Sequence, residues 1–106
     1  MPIYNPAAAA GGGGGKFTGN VSAITSTYVA TADDDVLLCT GTFTVTLYAA
    51  SGNSGESLIV KNCGGGTITI TGDGVETIDD GLVSVLAGVK YEAKSLVCSG
   101  SAWWVY

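Results

Sequence analysis

Two short stretches, TFTVTL at residues 42–47 and TITIT at residues 67–71, put threonine on every second position with an apolar residue between. A helix cannot use such a pattern, because its buried face recurs about every 3.6 residues, whereas successive side chains of a strand point to opposite sides. The alternation therefore predicts two half-buried strands. Phe43, Val45 and Leu47 form the inner side of the first, Ile68 and Ile70 that of the second, and the threonines face outward, where a neighbouring subunit can cover them. The stretches lie 25 residues apart. Two similar rungs that stack or pair are the expectation, although two copies do not define a solenoid.

Glycines frame the second stretch. Gly64 to Gly66 precede it and Gly72 and Gly74 follow, supplying turn conformations that other residues adopt only at a cost. The rest of the chain is more of the same material. ITSTYVA at residues 24–30 is rich in β-branched and aromatic residues, and VLLC at 36–39 and LIV at 58–60 are short apolar runs, as expected of strands covered on both faces. Ile78 is a single apolar point between Glu76 and the Asp79-Asp80-Gly81 turn, and two further strands are expected at 82–86 and 91–98. At the C-terminus, alternation sets Trp103 with Val105 on one face and Trp104 with Tyr106 on the other. Trp103 and Ile78 are assigned to the core, and Trp104 and Tyr106 to an oligomer or partner interface. No segment keeps helical spacing, and turn residues recur at short intervals. The fold class expected is all-β, a compact sandwich or a barrel or prism of about eight short strands.

Residues 1–16, MPIYNPAAAAGGGGGK, cannot contribute much to a packed core: four alanines bury little, and five consecutive glycines are costly to order. They read as an extended N-terminal arm ahead of a β domain at 17–106. Ile3 and Tyr4 are its natural docking anchors. The start of the chain has neither a basic region nor a long apolar core, so no secretory leader is expected. No apolar run approaches the roughly 18 residues of a membrane-spanning helix.

Composition narrows function by exclusion. Four lysines, no arginine and no histidine, with a formal charge of −5, do not make the basic footprint that nucleic acid requires. The absence of histidine removes the commonest general base and metal ligand. Serine and threonine are abundant, but nothing in the sequence activates one as a nucleophile. Asp73, Glu76, Asp79 and Asp80 offer paired carboxylates for glycoside hydrolysis; on a glycine-rich turn they read instead as solvated turn acids, as does the run Asp33 to Asp35. Cys39, Cys63 and Cys98 form no CxxC pair and read as buried thiols, with one disulfide plus a free thiol as the alternative. No catalytic residue, metal site or cofactor is assigned. Charged residues make up only 12% of the chain against about 25% in an ordinary soluble domain. A small chain with so little charge is expected to hide surface in an assembly.

Four features in succession resemble one family. Leu58-Ile59-Val60-Lys61-Asn62 matches an "hIhN" strand after a Gly-rich turn, Thr67 to Ile70 matches "tItI", residues 74–81 match a "GetIdG" turn lengthened here by Val75 and Asp80, and Gly100 to Trp103 matches "GxxW". In this order, from about residue 40 to the end, the chain resembles the small β-rich modules of tailed-bacteriophage fibres, tail tips and capsid decoration proteins. The arm is not part of that module. The resemblance implies a non-enzymatic virion protein, a capsid decoration (head-fibre) or tail-fibre component that forms a homotrimer. Its other partners would be major capsid or tail proteins, reached through the arm, with no nucleic acid and no membrane. The alternative is a receptor- or carbohydrate-binding module of a tail tip, with Trp104, Tyr106 or Tyr48 stacking on the sugar rings of a host surface glycan.

Overall fold

A computed structural model of the chain describes residues 19–106, which form nine strands and no helix. The strands are β1 (Val21–Ile24), β2 (Tyr28–Val29), β3 (Val36–Cys39), β4 (Phe43–Thr46), β5 (Ser57–Asn62), β6 (Thr67–Thr71), β7 (Val83–Ala87), β8 (Ala93–Cys98) and β9 (Trp103–Val105). They build two sheets, ordered β1-β3-β5-β8-β9 and β2-β4-β6-β7. Parallel pairing joins β1 to β3 to β5 in the first sheet and β2 to β4 to β6 in the second. A parallel neighbour demands a long crossover; here the crossover is itself a strand of the opposite sheet. The chain thus winds through three stacked coils, and the two threonine stretches are neighbouring rungs, with Thr44 beside Thr69 and Val45 beside Ile70.

After β6 the winding reverses. β7 runs antiparallel to β6, β8 antiparallel to β5, and β9 antiparallel to β8. The reversal is made in residues 72–82, which include a two-residue turn between Ile78 and Gly81 closed by a reciprocal pair of backbone hydrogen bonds of 2.7 and 2.9 Å. Its central residues, Asp79 and Asp80, have φ of 51° and 68°. Positive φ at both centres is the requirement of a type I′ turn, and aspartate tolerates it. At the reversed end, Lys94 of β8 spans the gap between the sheets and donates to the Ser84 hydroxyl of β7 at 2.6 Å.

The inner faces of both sheets meet in one core. Val45, Leu47, Ile68, Ile70, Ile78 and Trp103 are buried in it, with Leu37, Leu58, Val60, Leu86 and Leu96, while Phe43 is half-buried and packs against its edge. The coils are unequal. Ile24 to Tyr28, Cys39 to Val45 and Asn62 to Ile70 bridge equivalent register positions, so each corner is two residues longer than the one before. Even increments preserve the inward and outward sense of every side chain, which a single added residue would invert.

The third and longest corner needs special chemistry. A β-carbon on Gly66 would run into the carbonyl oxygen of Gly41 in the coil below, so only glycine allows the two corners to approach. Asn62 lies fully buried at the end of β5. Its amide donates to the Gly66 carbonyl at 2.7 Å and to the Leu86 carbonyl at 3.5 Å, and its carbonyl accepts from the Gly64 N–H at 3.1 Å. One side chain thereby satisfies backbone groups of the corner and adds a second donor to the Leu86 carbonyl, which also accepts from the Gly88 N–H at 3.2 Å.

Candidate assembly surfaces

Each sheet has one face in the core and one face turned outward. In the first sheet the residues between the buried positions are themselves mostly apolar: Val21, Val36, Leu38, Ile59, Val97 and Trp104. Parallel coils explain this composition, since strands of such sheets are usually covered on both sides. Trp104, 38% exposed, lies beside Val97 in the β8–β9 ladder, and Tyr106, 71% exposed, follows with its N–H bonded to the Ser95 carbonyl. The two rings assigned to an interface are therefore open to solvent in the single chain. Ile3 and Tyr4, the proposed docking anchors, lie outside the described residues, as does the 1–16 arm.

The second sheet presents the threonines. Thr44 and Thr46 of β4 stand beside Thr69 and Thr71 of β6, and the rows continue into Val85 and Val83 of the edge strand β7. All four threonines are half-buried by their neighbours in the array, while Val83 is 51% exposed and Leu82, just before it, 63%. Among the described residues, the strands of this sheet carry no charged side chain.

The carboxylates assigned to turn solvation are more committed than their sequence setting suggests. Asp34 is buried, and one of its oxygens accepts from the Thr31 N–H at 2.8 Å and the Tyr28 hydroxyl at 2.9 Å. Asp35 accepts from the Asn20 N–H at 2.7 Å, Glu76 from the Ala50 N–H at 2.9 Å and Asp79 from the Val105 N–H at 2.9 Å. These acids fasten loops to neighbouring backbone by charge-assisted hydrogen bonds. The signal in sequence is Thr31 three residues before Asp34, a spacing at which a side chain can close a turn on backbone. Among the described residues no three His, Cys, Asp or Glu side chains are grouped to hold a metal ion.

Tyr48 does not join the exposed aromatics. Its ring meets Trp103 edge-on, with centroids 4.9 Å apart and an interplanar angle of 84°, and its carbonyl accepts from the Trp103 indole at 3.3 Å. Burial, assisted by nearby Glu56, pushes its hydroxyl up to about 12. The three cysteines are free thiols, Cys39 and Cys98 buried and Cys63 partly so. Burial, with Cys63 adding to it, pushes the Cys39 thiol up to about 11 from an ordinary 9.0. A group whose folded pKa is raised stabilises the fold fully below its unfolded value and less as pH climbs through the folded one. Stability is accordingly expected to fall by about 2 kcal/mol between pH 9 and pH 11, two pKa units being worth about 3 kcal/mol at most. Urea unfolding across that window checks it: Cys39→Ala should show a shallower fall, and parallel profiles would remove the thiol as the cause.

No protein-family model, no curated protein and no solved structure matches the chain.

Proposed function

We propose that the chain is a non-enzymatic structural subunit of a bacteriophage virion, a capsid decoration or tail-fibre component that assembles as a homotrimer and is tethered through its N-terminal residues 1–16. The observation that carries this reading is the outward surface of the two sheets: an apolar face ending in Trp104 and Tyr106 on one side and an uncharged threonine face with Val83 and Val85 on the other. Faces of this kind suit burial against copies of the same chain, where apolar and aromatic residues are enriched and charge is depleted. The resemblance of residues 40–106 to phage fibre and decoration modules supplies the setting. Assembly buries these faces, and the arm docks on a capsid or tail protein.

Light scattering on the full chain at micromolar concentration is expected to give the mass of three copies; a particle of 10.6 kDa would sink the trimer. Deleting residues 1–15 is expected to leave the trimer intact and abolish incorporation into particles, and normal incorporation would refute the tether. A carbohydrate-binding tip is the second reading, favoured by the exposed rings of Trp104 and Tyr106. Binding of the isolated trimer to a glycan array, lost in Trp104→Ala, would select it.

A further inference from the structure

The coil topology sorts the charges. All the corners that lead from the first sheet to the second lie along one lateral edge of the molecule, together with the β7–β8 connection; all the returns, and the β8–β9 turn, lie along the opposite edge. The return loops at 30–35, 47–56 and 72–82 hold eight of the nine aspartates and glutamates, and no lysine. The opposite edge holds Lys61, Lys90 and Lys94, with Glu92 as its one acid. Several acids on the first edge are engaged with backbone, but Asp33, Glu56, Asp73 and Asp80 are exposed.

The basic edge is also built. Tyr91, with φ of 71° and 61% exposure, holds a conformation that costs a bulky side chain free energy. In that conformation its ring lies 5.8 Å from the Lys61 amine and 5.1 Å from the Lys90 amine, within the range where a cation is attracted to an aromatic face. Two amines are thus gathered at one corner while Lys94 is occupied with Ser84.

We propose that the two edges are complementary surfaces for each other: the Lys61/Lys90/Tyr91 edge of one copy docks against the carboxylate edge of the next. The proposal rests on the reading of the chain as a self-assembling subunit and adds how neighbours are oriented. Such a contact joins two different patches, so it propagates around a ring and closes when the rotation per copy divides a full turn, as it does in a trimer. Opposite charge at the edges steers encounter and fixes which way round neighbours meet, while the apolar faces supply the buried area.

Sedimentation velocity on the full chain tests the proposal at about 0.05 M and about 1 M salt, where the screening length falls to about 3 Å. Glu56→Lys/Asp73→Lys is the decisive variant. It lowers the net negative charge, so general repulsion between copies would predict tighter assembly, whereas edge docking predicts assembly at least tenfold weaker at low salt, with the difference vanishing at high salt. Lys61→Glu/Lys90→Glu is expected to weaken assembly likewise, and an equimolar mixture of the two variants to recover it in part, because each mixed trimer holds one contact between two unaltered edges and one between the two reversed pairs, against one that stays mismatched. Recovery at high salt shows that both variants are folded. Assembly of Glu56→Lys/Asp73→Lys as tight as that of the native chain at low salt, or a mixture no better than its components, overturns the edge contact and leaves the subunit reading standing. A native chain that is monomeric at both salts overturns both.

Discussion

Trp103→Ala is expected to lower the stability of the β domain by about 3–5 kcal/mol, the range for removing a large aromatic from a core. Trp103 is fully buried, and its ring touches more than one part of the chain at once. It packs edge-on against Tyr48 in the 47–56 loop and donates its indole N–H to the Tyr48 carbonyl. Its backbone binds the reversing segment at both ends, accepting from the Asp79 N–H at 3.0 Å and donating to the Thr77 carbonyl at 2.9 Å. Truncation leaves a cavity where three segments meet and frees the partly buried Tyr48 carbonyl. Trp104→Ala, one residue along and on the outer face, is expected to cost the isolated chain less than about 1 kcal/mol. Urea unfolding followed by circular dichroism measures both, and a larger loss for Trp104 would reverse the inward and outward assignment of β9.

Asn62→Leu is the second large effect, about 2–4 kcal/mol in the same measurement. The substitution keeps the volume but strands the partly buried Gly66 carbonyl and Gly64 N–H and takes one of two donors from the Leu86 carbonyl, and each group left without a partner costs about 1–3 kcal/mol. Asn62→Asp separates packing from hydrogen bonding. One carboxylate oxygen still accepts from Gly64, but the other faces two carbonyl oxygens and gains from being protonated. That raises its folded pKa above the unfolded value near 3.9, so the variant's stability is retained below that pH and lost as pH rises. A pH-independent deficit would mean that Asn62 acts through shape alone.

The alternation of Thr42 to Leu47 and Thr67 to Thr71 carried its meaning openly: two strands, their inner residues, and the threonine face could be read directly, as could the opposite orientations of Trp103 and Trp104. The coil could not. Val21 pairs with Val36, fifteen residues on, but Val36 pairs with Ile59, twenty-three on. Corners and return loops of unequal length erase the fixed period by which repeats are detected. The reversal after β6 was hidden for a different reason, since antiparallel and parallel strands buried on one face share the same period of two. Asp33, Asp73 and Asp80 are the exposed turn acids that the sequence suggests, but the engagement of Asp34, Asp35, Glu76 and Asp79 was not legible, because a carboxylate that caps a loop and one that merely meets water have the same local sequence, and only tertiary proximity, such as that of Glu76 to Ala50, distinguishes them. The charge-sorted edges follow from topology alone and have no counterpart along the chain.

The reversed strands β7, β8 and β9 have a further consequence. A stack of parallel coils is an open-ended template: its last coil offers the same row of backbone groups that the previous coil offered it, and a second molecule can add on and repeat the offer indefinitely, as in a cross-β fibre. Here the four-stranded sheet ends in β7, which runs against the strand beneath it, so the top of that sheet no longer matches the direction of its bottom; in the other sheet β9 returns to the original direction but is only three residues long. At the bottom, β1 and β2 are only four and two residues long. Mismatched polarity at one end and a truncated rung at the other act as a chain terminator. They direct association away from the stacking axis and make end-on polymerisation a dead end.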